Sequence, residues 1–139
     1  MSNMPQGAIE SDLLGQLIHL AANPEFIVGD TSVRTNLLRI LVGENPDVEL
    51  AYVTDERGIQ NVPNVMGAKI DLVYDGDGIG MDRSGRAWFH VPARLKRPFT
   101  SRKLISIATN RLCVTVAVPI LTAEGALCGV LAVDMAVNE

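Results

Sequence analysis

Aromatic residues are scarce in this 139-residue chain, with one tryptophan, two tyrosines and three phenylalanines making up 4% of it. Four of those six rings, Tyr74, Trp88, Phe89 and Phe99, fall between residues 63 and 100. Cysteine is almost as rare. Cys113 and Cys128 both sit in apolar sequence, which suits buried free thiols, and a chain of this size needs no disulfide framework. The only histidines, His19 and His90, have no partner at metal-ligand spacing, so zinc chemistry finds no support. Long hydrophobic runs are also missing. The most apolar stretches, residues 112–121 and 126–133, are far shorter than the about 20 residues needed to cross a bilayer. Residues 1–7 carry no basic group and no apolar segment follows, so the sequence as written predicts a cytoplasmic chain with no membrane contact. A net charge of -4 argues against nucleic acid and anionic membranes as partners.

The last absence is local. Residues 83–123 contain no acidic side chain but eight of the twelve basic ones, so all sixteen carboxylates lie outside that run with only four basic residues. It opens at Asp82-Arg83-Ser84-Gly85-Arg86-Ala87-Trp88-Phe89, around which the rest of the chain is organised.

What is present fits one domain. An apolar fraction of 47% in 139 residues is enough for folding to bury about two-thirds of the surface that the unfolded chain exposes. Residues 9–22 place Ile9, Leu13, Leu14, Leu17, Ile18 and Ala21 at helical spacing. Asn23-Pro24 ends that helix and starts a short second one over residues 25–28, with Asn23 as N-cap. A third begins at Asp30 or Thr31, carries Val33, Leu37, Leu38 and Leu41 on its apolar stripe, and ends with Gly43 in the left-handed position before Pro46.

From there the period changes to 2. Residues 50–54 read as a strand, 55–58 as a turn and 59–62 as the returning strand of a hairpin. Residues 63–100 form a long insertion with one short helix near residues 68–73, and connections this long in a compact domain tend to be functional. Strands are then expected over residues 103–108, 112–120 and 126–135, the last two joined by the turn Thr122-Ala123-Glu124-Gly125. Both final strands are apolar on both faces, so both sides of the sheet must be covered. On the last strand, Ala126, Cys128, Val130 and Ala132 share a small-residue face with Asp134, opposite Leu127, Leu131, Val133 and Met135. A carboxylate there must be solvated, paired or used, because burying it alone would cost several kcal/mol.

Several constellations fail on chemistry. An EF-hand loop starting at Asp75 would put Ile79 and Arg86 at ligand positions, and Gly76, Gly78 and Gly80 do not make a nucleotide loop. Neither a metal nor a cofactor is implied. Ser84, Ser101 and Ser106 have no histidine and carboxylate at a diagnostic spacing. Arg94, Lys96, Arg97, Arg102 and Lys103 read as a solvated face or as a contact with the acidic remainder of the domain. Arg86 differs, because it precedes Trp88-Phe89: a guanidinium beside aromatic walls suits recognition of a carboxylate, and a structural arginine stacked on the tryptophan fits the same pattern.

Five pieces in order carry a resemblance: a helix ending in Ala22-Asn23-Pro24; Val53-Thr54-Asp55-Glu56-Arg57-Gly58; Asp82-Arg83-Ser84 with Arg86-Ala87-Trp88-Phe89; Val114-Thr115-Val116-Ala117-Val118-Pro119-Ile120; and Gly129-Val130-Leu131-Ala132-Val133-Asp134. Over roughly residues 9–136 the chain resembles a Cache sensor domain, the PAS-like group also called PDC domains. The resemblance implies an α+β fold with a five-stranded antiparallel sheet, N-terminal helices on one face and a ligand-covering insertion on the other. In the amino-acid-binding subgroup, the arginine and tryptophan of an Arg-x-Trp-Tyr motif grip the ligand carboxylate and a strand-end aspartate takes the amino group. Arg86, Trp88 and Asp134 fall at those three places, while Phe89 stands where the motif has tyrosine and Met81 where an upstream tyrosine is expected. Phe99 and Thr115 complete the expected ligand-binding set.

The expectation is therefore a non-catalytic sensor for a small carboxylate, amino acid or amine, forming a homodimer through its N-terminal helix. As an excised receptor module it would lie outside the cytoplasm. The competing expectations are an interaction module whose pocket is filled or closed by an Arg86–Asp134 salt bridge, and a small hydrolase.

Overall fold

The computed structural model describes residues 6–68, 77–105 and 110–137. Three helices come first. α1 (Gln6–Ala21) buries Leu13, Leu17, Leu20 and Ala21, but Ile18, expected on the same stripe, is 47% exposed. α2 (Pro24–Val28) starts as the sequence predicts, with Asn23 Oδ1 accepting from the Glu25 amide at 2.9 Å and Phe26 fully buried. α3 (Thr31–Glu44) is capped by Asp30, whose Oδ1 accepts from the Val33 amide at 3.0 Å.

The end of α3 differs from expectation. Gly43 lies inside the helix rather than in a left-handed cap. Asn45 makes such a cap unnecessary, because its backbone amide donates to Val42 O and its side chain donates to Leu41 O at 2.7 Å. Val33, expected on the buried stripe, is 38% exposed, and Leu38, Leu41 and Val42 form the buried face instead.

The sheet is antiparallel, with six strands in the order β2-β1-β6-β5-β3 and β4 also paired to β5. β1 (Val48–Asp55), β5 (Leu112–Leu121) and β6 (Leu127–Ala136) are the long central members. β2 (Val65–Met66) forms one edge. β3 (Phe99–Thr100) and β4 (Leu104–Ile105) lie in succession along the outer edge of β5, so the sheet is five strands wide, as the resemblance implies. The expected strand over residues 103–108 is observed as β4, and residues 106–109 lie outside the described residues.

The returning strand expected over residues 59–62 is reduced to a single bridge, Gln60 to Thr54, with Asp55 N donating to Ile59 O at 2.9 Å and Asn61 N to Val53 O at 3.1 Å. On its other side the segment pairs with the stretch ahead of Arg86 through an Ile59–Asp82 bridge, Gln60 N to Met81 O at 2.9 Å and Arg83 N to Gly58 O at 2.7 Å. The edge beside β1 is thereby shared between β2 and residues 59–61, which in turn hold the chain leading to Arg86.

α4 (Ala87–Leu95) corrects the reading of residues 63–100 as an insertion whose one short helix lies near residues 68–73. Pro92 and the short apolar pattern hide it in the sequence: proline removes the amide that would meet the Trp88 carbonyl. Burial of Trp88, Phe89 and Pro92 against the sheet offsets that loss. The helix expected near residues 68–73 falls mostly outside the described residues.

Two layers of side chains result. On the helical face Ala51, Val53, Val114, Val116, Val118, Leu131, Val133 and Met135 meet Leu13, Leu17, Phe26 and Leu38. On the opposite face Leu50, Tyr52, Ala117, Val130 and Ala132 meet Trp88 and Phe89, with Phe99 at the margin. Cys128 departs from the expected alternation. The register shifts between Ile120, opposite Gly129, and Leu121, opposite Leu127, and the extra residue Cys128 packs with the helical-face core. Both cysteines are free thiols, and burial pushes that of Cys113 up to about 12.

Candidate functional site

The site is built where the chain enters α4. Asp82 Oδ1 accepts from the Ser84 amide at 2.9 Å, and hydrogen bonds from Ser84 hold the Asp82 carboxyl below its ordinary value. Arg86 is the N-cap residue in extended conformation; its carbonyl accepts from Phe89 N and His90 N, so its backbone is fixed in position by the helix start. The preceding turn is held by a polar lock. Gln60, fully buried, accepts from Arg83 Nε at 3.1 Å and from the adjacent guanidinium nitrogen at 2.9 Å, while donating to Val62 O and Asn64 Oδ1.

The Arg83 guanidinium also lies 5.3 Å from the centroid of the Tyr52 ring, and Tyr52 in turn stacks on Trp88 with centroids 5.6 Å apart and planes 14° from parallel. This column carries the α4 start onto β1. At its foot the Tyr52 hydroxyl donates to Asp134 Oδ2 at 2.8 Å, and Thr115 Oγ1 donates to Asp134 Oδ1 at 2.7 Å. Asp134 is only 4% exposed.

A cavity of about 220 Å³ opens beside this column, lined by Arg86, Trp88, Phe99, Ser101, Leu104 and Thr115 among others. Four of the six residues singled out from sequence therefore meet at one cavity: Arg86, Trp88, Phe99 and Thr115. Asp134 stands behind Thr115 rather than on the cavity wall, and Phe89 is packed into the core with Val130 and Ala132. The Arg86 side chain is half-buried and makes no hydrogen bond or ion pair among the described residues. The ion pairs present there are Arg57–Asp55 and Arg111–Glu49, and none joins Arg86 to Asp134.

Three participants escaped sequence reasoning. Tyr52 shares the Asp134 face because β1 alternates, but the identity of its partner depends on β1–β6 register. Ser101 exchanges two 2.8 Å hydrogen bonds with the Thr115 backbone, a pairing set by the β3–β5 edge. Arg83 opens the basic run and belongs to the Asp82-Arg83-Ser84 piece of the resemblance, but neither states its contacts with Gln60 and Tyr52.

Chemically, the cavity presents one unpaired guanidinium, two hydroxyl-bearing residues and apolar walls. That set suits a small anion with a short apolar body. Among the described residues no three potential ligating side chains are grouped to hold a metal ion.

No family model matches the sequence. Among curated proteins the chain is 29% identical over 103 residues to the Citrate (Re)-synthase of Syntrophus aciditrophicus, covering 74% of this chain but only 16% of the enzyme. Among solved structures it superposes on an extracellular ligand binding receptor from Desulfohalobium retbaense with a TM-score of 0.71 and 16% identity, covering 92% of this chain and 22% of the receptor. The ligand-binding domain of the Pseudomonas fluorescens chemoreceptor CtaA, in complex with L-serine, gives a TM-score of 0.63 and 19% identity over 92% of this chain and 52% of that domain. The chain thus spans about half or less of each of these proteins. It has the Cache-type, PAS-like fold of bacterial chemoreceptor ligand-binding domains, which its five-part sequence resemblance implies.

Proposed function

We propose that this chain is a single, non-catalytic sensor domain that binds a small carboxylate, amino acid or amine in the cavity beside Trp88. The observation that carries the reading is the half-buried Arg86 side chain, unpaired among the described residues and lining the same cavity as Trp88 and Thr115. A guanidinium in that setting is an anion anchor awaiting its partner. Thr115 reads the other end of the ligand, and Asp134 orients Thr115 from behind. The CtaA domain with L-serine supports a ligand of this size, as does the modest cavity volume of about 220 Å³.

Signalling follows if ligand binding draws Arg86 and the α4 start toward Thr115, since the Tyr52–Trp88 stack and the Arg83–Gln60 lock carry that movement to β1. The outward face of α1, where Ile18 stays 47% exposed, is the proposed homodimer surface. Among the described residues no helix is long and apolar enough to cross a membrane. Joined to a membrane segment, as in a receptor, the domain would work outside the cytoplasm.

One observation favours the interaction-module alternative. Tyr52 closes over Asp134 with Trp88 stacked upon it, leaving the carboxylate 4% exposed. A thermal-shift screen of glycine, L-serine, acetate and small amines separates the two, because a ligand at a hundred times its dissociation constant adds about 2.7 kcal/mol of stability. The sensor reading expects a stabilising compound whose affinity falls by about 1.5 to 3 kcal/mol in Arg86→Ala. Unchanged affinity in that variant removes Arg86 from the site, and no hit in a broad set leaves the interaction module.

A further inference from the structure

A second, larger cavity lies at the other end of β1, away from Trp88. Its volume is about 480 Å³, within the range of ordinary small-molecule sites, whereas the Arg86 cavity falls below that range. The last turn of α3, the start of β1 and the β2 edge enclose it, with Val42, Val65 and Met66 among its apolar walls.

Glu49 is the residue that makes this cavity unusual. Register shifts between Val48, opposite Met135, and Leu50, opposite Asp134, so Glu49 is the extra residue of a bulge and its direction is released from the strand alternation. It lines the cavity and is only 2% exposed. Oε2 lies 2.8 Å from Arg111 Nε in an ion pair without hydrogen-bond geometry, and neither carboxylate oxygen has a hydrogen-bond partner among the described residues. A buried carboxylate oxygen left in this state is costly. It is also a ready acceptor for a donor that arrives from outside.

The surroundings define that donor. The C-terminal turn of α3 faces the cavity, and the negative end of a helix favours a cation there. Arg111 spends its Nε on Glu49 and its side chain stays 56% exposed, leaving the outer edge of its guanidinium open to an anion. Arg39, also exposed, lines the same cavity. Two guanidinium groups and one carboxylate give a net positive wall with one buried negative point.

We propose that this cavity is a second binding site, for a zwitterion with an apolar tail. The ligand's ammonium donates to Glu49 Oε1, its carboxylate meets Arg111 and Arg39, and its tail lies on Val42, Val65 and Met66. An amine alone leaves both arginines without a counter-ion, and a carboxylate alone approaches the Glu49 charge with nothing to offer it. The site is independent of the Arg86 cavity, and its existence does not rest on the sensor reading.

The test uses the whole chain with methyl-labelled methionine and L-leucine as probe, beside isoamylamine and isocaproate, which lack its carboxylate and its ammonium respectively. Met66, 44% exposed on the cavity wall, supplies the reporting methyl, and the Trp88 indole reports the other cavity separately. L-leucine is expected to shift the Met66 methyl saturably, with both analogues about tenfold weaker or worse. Glu49→Gln should weaken leucine by about tenfold at Met66, while Arg86→Ala leaves that titration unchanged. If Glu49→Gln does not fold, Arg39→Ala combined with Arg111→Ala removes the carboxylate partners from exposed positions and should produce the same loss. A Met66 methyl that leucine does not move, an analogue that binds as well as leucine, or loss of the Met66 response in Arg86→Ala would overturn the proposal.

Discussion

Tyr52 and Asp134 sit diagonally across the β1–β6 pair, Tyr52 opposite Ala132 and Asp134 opposite Leu50, and the tyrosine hydroxyl reaches the carboxylate at 2.8 Å. The contact links the aromatic column under α4 to the carboxylate behind Thr115. Tyr52→Phe keeps the ring on Trp88 and removes only the donor. Loss of a buried hydrogen bond to a charged group costs about 1.5 to 3 kcal/mol. Urea unfolding should therefore show a lower midpoint with an unchanged slope. An unaltered midpoint would mean that the hydroxyl contributes nothing that solvent cannot replace.

A second expectation concerns Arg34, which closes the C-terminal end of α2. Its Nε donates to Phe26 O at 2.7 Å, a terminal nitrogen donates to Ile27 O at 2.9 Å, and the guanidinium lies 5.2 Å from the Phe26 ring centroid. Lysine carries the charge but lacks the planar fork, so Arg34→Lys should lose one carbonyl contact and most of the stacking. The expected cost is about 1 to 2 kcal/mol, read by chemical denaturation. Stability equal to that of the wild type would show that charge alone closes this helix end.

How legible these features were depends on their range. The Asn23 and Asp30 caps were readable because a cap is decided within three residues, and both form. The long strands β1, β5 and β6 were readable from their alternation, within two residues at each end. Arg86 and Trp88 stood out as a charge beside a ring, and Thr115 and Phe99 do share their cavity. The Tyr52–Asp134 contact spans 82 positions and depends on strand register, which no local pattern states. Glu49 and Cys128 were hidden for a related reason: each is the extra residue of a bulge, where period-two reading assigns the wrong direction. α4 was missed because Pro92 argues against a helix locally, while the burial that outweighs it comes from the sheet.

Gly129 offers a test of the close strand approach beside the second bulge. A Cβ built there would overlap the carbonyl oxygen of Thr54 on β1, which is backbone and cannot swing aside. Gly129→Ala must push β1 and β6 apart where Asp55 pairs with Gly129. Overpacking of this kind typically costs about 1 to 3 kcal/mol. A calorimetric melting temperature equal to that of the wild type would show that the strands yield without penalty.

The pH dependence of Glu49 can be worked out in sign. Burial raises its carboxyl above the ordinary 4.5, opposed in part by the Arg111 charge and reinforced by Asp134. The folded state then holds this proton more tightly than the unfolded chain does. Between 4.5 and the raised value the folded state binds more protons, so this group's contribution to stability falls as pH rises through that window. Above the window the full cost of the buried charge remains. Glu49→Gln removes the titration at nearly the same shape, and Arg111, 56% exposed, is released into solvent at little cost. The stability of the variant minus that of the wild type should therefore climb with pH across the window and then level off. Taking the difference cancels the other carboxylates, which titrate alike in both proteins. A difference that instead declines with pH would show that the 2.8 Å pair with Arg111 outweighs the loss of hydration, and that Glu49 is satisfied without any further donor.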